Sequence, residues 1–184
     1  LTGMAPIDYG VFRMLRFIFL LSLLSFAAGG SANASSDKKA EAQAYLDRYV
    51  GTWKGELSIE SSGKILRTLP LAAEYWKSGD AVKGLTAFEV DGEMTFVESS
   101  NYFRNGLLFA DVTQKGETVT YRGFLKENRL VWIPYDAELN TERQMKERFV
   151  EEDGEEILYV DGVELLRSNG GTAKILLRAR MVRE

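Results

Sequence analysis

From Thr52 to Arg183 the chain alternates apolar and polar residues at period two, and turn-forming pairs break the alternation at near-regular intervals. A period of two puts successive side chains on opposite faces of a pleated strand. In Thr52–Glu60, Trp53, Gly55, Leu57 and Ile59 share one face, while Thr52, Lys54, Glu56, Ser58 and Glu60 share the other. The breaks fall at Ser62-Gly63, Gly79-Asp80, Asp91-Gly92, Asn105-Gly106, Lys115-Gly116, Glu127-Asn128, Asp153-Gly154 and Asn169-Gly170-Gly171, with a longer one from Asp136 to Asn140. Such pairs tolerate the positive φ angles of tight hairpins. The spacing predicts strands over 52–60, 65–77, 81–90, 94–104, 107–114, 117–126, 129–135, 142–152, 155–167 and 172–183. Short links make consecutive strands antiparallel neighbours. A single open sheet of that many strands would leave long edges, and closure removes them. The expectation is an all-β, antiparallel up-and-down barrel of about ten strands. Pro70 and Pro134 fall inside strand runs and predict a bulge or a gap in pairing there.

The segment before the barrel reads differently. Residues 37–50 place Ala42, Tyr45, Leu46 and Tyr49 at helical spacing, with Ser36 or Asp37 as cap and Gly51 as stop, so a short helix is expected. Further upstream, Met14-Leu15-Arg16 forms a basic start and Phe17–Ala28 an uncharged apolar run. Gly29-Gly30-Ser31 and the small-x-small pattern Ala32-Asn33-Ala34 follow. This is the layout of a secretory signal peptide, and the apolar run is too short to span a bilayer. Residues 1–34 are thus expected to be a leader, with 1–13 a possible overhang before a start at Met14, and residues 35–184 one barrel domain. An exported protein in the periplasm or outside the cell is the corresponding expectation, with no membrane span after cleavage.

Composition narrows the chemistry. The chain has 184 residues, no cysteine and no histidine. That excludes disulfides, thiolate metal sites, cysteine nucleophiles, histidine-ligated haem and every Ser-His-Asp scheme. No cofactor and no metal are expected. The net charge of −4 gives no overall electrostatic case for nucleic acid. A membrane barrel would need an apolar outer face, and Lys54, Glu56 and Glu60 on the wet face of the first strand argue for a barrel with a dry interior in water.

Gly51-Thr52-Trp53-Lys54-Gly55 opens the first strand directly after the helix. This resembles the G-x-W start of the calycin superfamily, which holds lipocalins, fatty-acid-binding proteins and nitrobindin-like barrels. More narrowly, residues 50–184 resemble the bacterial exported lipocalin-like domains of unknown function. The resemblance implies a basic side chain from the last strand over the tryptophan. If the last strand pairs antiparallel with the first, Arg183 continues the apolar parity of Ala173, Ile175, Leu177, Ala179 and Met181 and ends beside Trp53, while Arg178 and Arg180 take the other face. Arg183 is therefore expected as a structural lid over Trp53, held by the indole face and by free carbonyls at the barrel end. The sequence departs from nitrobindin-like proteins, since Gly55 is followed by Glu56-Leu57-Ser58-Ile59 and histidine is absent, so their haem ligation does not carry over.

Aromatic residues recur on the strands. Trp53, Tyr75, Phe88, Phe96, Tyr102, Tyr121 and Trp132 are the candidates to line a ligand cavity, the alternative being that they fill the core. No catalytic residue is assigned. Glu98, Tyr102 and Arg122 are weak candidates for histidine-free acid–base chemistry, provided that all three point into the barrel; with the opposite parity Glu98 is solvated. The acidic run 151–156 reads as a wet hairpin tip. Three functions follow: a carrier or sensor for a small apolar or amphipathic ligand, a structural envelope barrel with a filled core, or a calycin-type enzyme using Glu, Tyr and Arg, in that order.

Overall fold

Each of the ten expected runs forms a strand, and the ten close on themselves. The structure, a computed structural model, describes residues 32–136, 142–168 and 171–184. After helix α1 (Ala32–Asp47) come β1 (Gly51–Ser61), β2 (Lys64–Ser78), β3 (Ala81–Val90), β4 (Glu93–Arg104), β5 (Leu107–Gln114), β6 (Glu117–Lys126), β7 (Arg129–Pro134), β8 (Arg143–Glu152), β9 (Glu155–Ser168) and β10 (Gly171–Arg183). Every strand pairs antiparallel with the next, and β10 returns to β1, which closes the barrel. The expected leader, apart from its last residues Ala32–Ala34, and the expected overhang lie outside the described residues. No described helix is long and apolar enough to cross a membrane.

The turn chemistry works as the pairs suggest. Asp91 and Gly92 both take positive φ, 55° and 82°, as a two-residue hairpin with right-handed strand twist needs. Glu127 and Asn128 adopt the same form without a glycine, at φ 50° and 60°. There the Asn128 amide compensates: it donates to Phe149 O at 3.0 Å and accepts from Arg48 Nη1 at 2.6 Å.

Pro70 does not break its strand. It pairs regularly with Glu56 and is exposed, and the register shift lies instead where Ile59 pairs with Arg67 but Glu60 pairs with Ile65. The bulged residue is Leu66, at a rim where it can turn outward. Pro134 ends β7, and pairing of β7 with β8 already stops at Trp132. A proline cannot donate to the ladder, so the gap opens at its strand end.

The helix starts at Ala32 rather than 37 and ends at Asp47 rather than 50. Beyond Asp47 the chain tightens into i→i+3 bonds, with Arg48 N to Tyr45 O at 3.1 Å, Tyr49 N to Leu46 O at 3.0 Å and Val50 N to Asp47 O at 3.2 Å. The tightening rotates Tyr49 inward with Ala42, Tyr45 and Leu46, and all four are buried. This face caps one end of the barrel. Ion pairs hold it from outside: Lys39 to Asp80 at 3.0 Å, Lys77 to Asp47 at 2.7 Å and Arg48 to Glu156 at 2.8 Å. The two lysine pairs lie at the surface and orient the helix more than they stabilise it, while the Arg48–Glu156 pair is part-buried. The buried aromatic face supplies the adhesion.

Candidate functional site

The register fixes which side chains enter the lumen. Trp53, Gly55 and Leu57 face inward on β1, and pairing carries that parity to Leu71, Ala73 and Tyr75, then to Gly84, Thr86 and Phe88, then to Val97, Ser99 and Asn101. It continues to Ala110 and Val112, to Val119 and Tyr121, to Leu130 and Trp132, and to Arg143, Met145, Glu147 and Phe149. Accessibility along this face is graded. At the helix end Trp53, Val82, Leu130, Phe149, Leu158 and Met181 are buried. Towards the opposite end Leu57, Phe88, Val112, Val119, Met145 and Leu177 keep accessible surface although they point inward. The barrel is therefore a cup, packed at its floor and open at its mouth.

The floor is aromatic. The Phe149 ring packs against Tyr45, Tyr49 and Trp53 at centroid distances of 5.3, 4.9 and 5.7 Å. Trp53 Nε1 donates to Tyr49 O at 2.7 Å. Arg183 stacks on Trp53 with its guanidinium carbon 4.7 Å from the ring centroid. It donates to Val50 O at 2.7 Å and also to Arg48 O, and pairs with Glu156 at 2.9 Å. Gly51 makes room for it: φ there is +133°, and a methyl group would stand 3.3 Å from Arg183 Nη1. The arginine thus ties the last strand to the carbonyls of the turn that follows α1.

Directly above the floor sits Glu147, a residue that the alternation along β8 does not single out. Glu147 Oε2 accepts hydrogen bonds from both Trp132 Nε1, at 2.8 Å, and the Tyr49 hydroxyl. Tyr45 Oη donates to the main-chain oxygen of the same residue at 3.2 Å. Burial pushes the Glu147 carboxyl above the usual carboxylate range, against the opposing pull of its two hydrogen bonds. The phenols around it respond in turn. Burial and the nearby carboxylate push Tyr75 up to about 12 and Tyr49 and Tyr45 well above the ordinary phenol value. Two glycines position the rings. A methyl group at Gly84 would lie 2.3 Å from the Tyr75 ring, and one at Gly123 would lie 2.5 Å from the Trp132 ring. Each ring lies over the glycine of its cross-strand partner, which both fills the missing side chain's space and fixes the ring.

Nearer the mouth, Arg143 and Glu164 are cross-strand partners that form an ion pair, and Arg143 Nη1 donates to Tyr121 Oη at 3.3 Å. Both charged side chains are mostly enclosed, at 17% and 22% exposure. A neutral pair is what a partly dry interior accepts at least cost.

Of the candidate lining residues, Trp53, Tyr75, Phe88, Tyr121 and Trp132 do face the lumen, with Trp53 wholly in the floor. Phe96 and Tyr102 do not. They share the outer parity of β4, and Phe96 is 52% exposed. Tyr102 stacks on Phe109 outside the barrel and donates to Asp111 at 3.2 Å. Glu98 and Arg122 also face outward, Glu98 opposite Leu85 and Arg122 against the Phe124 ring at 4.9 Å. The trio Glu98, Tyr102 and Arg122 is therefore not assembled in a cavity. The reason is a parity that β4 leaves open, because Met94 and Phe96 make its outer face as apolar as Val97 and Phe103 make its inner one. The acidic tip is only partly wet: Glu156 is engaged by Arg48 and Arg183, and Glu152 by Arg180 and Tyr159. Among the described residues no cluster of acids is arranged to hold a metal ion.

Closed order, helix cap and floor tryptophan define a calycin-like barrel. The S-type phycobiliprotein lyase CPES from Guillardia theta shares this fold, with a TM-score of 0.51 over 82% of this chain and 97% of that one, at 8% sequence identity. No family model and no curated protein matches the sequence.

Proposed function

We propose that this protein is an exported, non-catalytic carrier or sensor that holds a small apolar or amphipathic molecule in the barrel. The carrying observation is the gradient of burial along the inward face, from a sealed aromatic floor to partly accessible Leu57, Phe88, Val112 and Leu177 near the mouth. A filled barrel would bury that face along its whole length. The fold shared with a lyase, at 8% identity, is compatible with this reading and does not specify a ligand.

The test is a binding screen with fatty acids and neutral dyes, read by tryptophan emission, melting temperature and native mass spectrometry. Trp132, which lines the lumen, is the reporter. Binding of at least one probe class with a rise in melting temperature is expected. No response from any probe would leave the core-filled reading in place. Export is tested separately: the accumulated protein is expected to begin at Ser35, and an intact mass that retains residues 1–34 would refute the leader.

The interaction-barrel reading also has an observation behind it. Trp76, Met94 and Phe96 are 43%, 54% and 52% exposed on the outer wall of β2 and β4. Met94 borders a shallow opening of about 310 Å³ over β1, β2 and β3, lined by outward residues such as Pro70, Ala72 and Ala87 and also by the inward-parity Gly55, Leu71 and Phe88. Met94 and Phe96 are neighbours on the outer face of β4, and exposed apolar side chains grouped in this way mark contact surfaces.

A further inference from the structure

We infer that the floor of the cup selects an amine: a molecule with an apolar body whose leading end donates hydrogen bonds to Glu147 Oε1 and the Asn101 carboxamide. The inference rests on the lumen being a binding site and names what that site prefers.

Two polar groups face the lower lumen with nothing to bond. Both donors that reach Glu147 bond to Oε2, and Oε1 has no hydrogen-bond partner among the described residues. Asn101 is 6% exposed, shares the inward parity of β4, and its side chain makes no hydrogen bond to a described residue. Neither side chain is sealed off: Glu147 keeps accessible surface, and among the described residues the buried side-chain atoms without a partner are Arg122 Nε and Arg183 Nε, so both groups can be reached by a partner that enters the lumen. The two lie on β4 and β8, four strands apart in a ring of ten, and so belong to opposite sides of the barrel wall.

Charge separates an amine from other polar ligands. Glu147, Glu156 and Glu164 have inward parity on β8 and β9. Glu156 is paired with Arg48 and Arg183, and Glu164 with Arg143. Glu147 has no cation within ion-pair distance among the described residues. A part-buried carboxylate without a counter-charge is disfavoured, and an incoming ammonium offsets that cost, whereas an anion increases it. Tyr49, Tyr75 and Trp132 surround the same point, and aromatic faces attract cations. Leu57, Leu71, Phe88, Val112 and Leu177 supply an apolar sleeve for the rest of the molecule.

Binding of a cation stabilises the ionised form of Glu147, so uptake expels a proton from the floor below the raised titration point. The groups that face Glu147 are Tyr45 and Tyr49 from α1 and Tyr75 from β2, all uncharged near neutrality, and Arg48 is the nearby cation, placed over the Phe149 ring at 4.5 Å. Burial holds the three phenols protonated near neutrality, which leaves the raised Glu147 carboxyl as the group whose charge sets the pH dependence.

The experiment is competition of n-decylamine, decanol and decanoate against the neutral dye N-phenyl-1-naphthylamine, on the whole protein as cells accumulate it. Decylamine is expected to compete about tenfold or more better than decanoate at pH 8, with its advantage over decanol shrinking towards pH 5. Glu147→Gln is expected to bring the amine-to-alcohol ratio near one, and Asn101→Ala to lower it severalfold. Dye binding with equal competition by all three probes, or an amine advantage that is independent of pH in the native protein, overturns the inference and leaves the carrier reading standing. Failure of the dye and of all three probes instead overturns the carrier reading itself.

Discussion

Glu147 offers the sharpest test of the floor, because its two plausible replacements act in opposite directions. Leucine at this position leaves the Tyr49 hydroxyl and the Trp132 indole N–H without an acceptor. Each orphaned donor costs about 1–3 kcal/mol, so Glu147→Leu is expected to lose on the order of 2–6 kcal/mol. For a chain of this length that is a drop of roughly 5–20 °C in melting temperature. Glutamine keeps one oxygen where Oε2 stands and removes only the charge. Its effect depends on pH, and the sign follows from the raised carboxyl of the folded state. Below the ordinary carboxylate value the group is protonated in both states and contributes nothing to the pH dependence. Above that value the unfolded chain releases its proton while the folded one retains it, so stability falls as pH rises to the raised value. Each unit of that raise corresponds to about 1.4 kcal/mol. Chemical denaturation at pH 4, 6 and 8 should therefore show native and Glu147→Gln proteins close together at the acid end, with the variant more stable at pH 8. If Glu147→Gln loses as much as Glu147→Leu at every pH, or if the two proteins keep a constant difference from pH 4 to 8, the carboxyl is not enclosed in the way described.

Four further outcomes follow from the same geometry. Arg183→Ala removes the donors to Val50 O and Arg48 O and the cover of Trp53, and thermal melting should report a loss of about 2–4 kcal/mol, with Arg183→Lys recovering only part because an ammonium cannot span both carbonyls. Gly84→Ala drives a methyl group into the Tyr75 ring, which Tyr49 backs at 5.4 Å, so a loss of about 1–3 kcal/mol is expected by denaturant titration. Alkaline titration followed by tyrosinate absorbance should show Tyr45, Tyr49 and Tyr75 still protonated in the folded protein well above pH 10. Because their folded values are raised, stability is complete below the ordinary phenol value and is lost as pH climbs through the raised ones. Glu98→Gln, on the outer wall, should leave melting within about 0.5 kcal/mol and leave probe binding unchanged, and a loss of binding would restore the discarded enzyme arrangement.

The barrel was legible because alternation and turn pairs are local signals, and closure follows from the cost of leaving long edges unpaired. Arg183 over Trp53 was legible for a related reason: once first and last strands are antiparallel, parity alone chooses among Arg178, Arg180 and Arg183. Parity failed where both faces of a strand look alike. On β4 nothing in Met94–Phe103 distinguishes in from out, and only the register with β3, which places Phe88 beside Thr95, decides it. Glu147 was hidden more thoroughly. It stands in Lys146-Glu147-Arg148, a run that reads as solvated, and the signal that could have exposed it is its parity with Phe149 and Met145 two residues either side.

The helix could be recognised from its apolar spacing, but not what that spacing was for. Tyr45 and Tyr49 bury their rings against Phe149, yet both hydroxyls end on one residue of β8, the first on its carbonyl and the second on its carboxylate. One strand position therefore both anchors the cap and furnishes the unmatched oxygen at the floor of the cup. A change in the charge of Glu147 alters the hydrogen bond that holds the end of the helix, and a change in the seating of the helix alters the oxygen presented to the lumen. Sealing the barrel and reading its contents are thus coupled through a single carboxyl group, which is why substitutions there must be compared at several pH values and not by melting temperature alone.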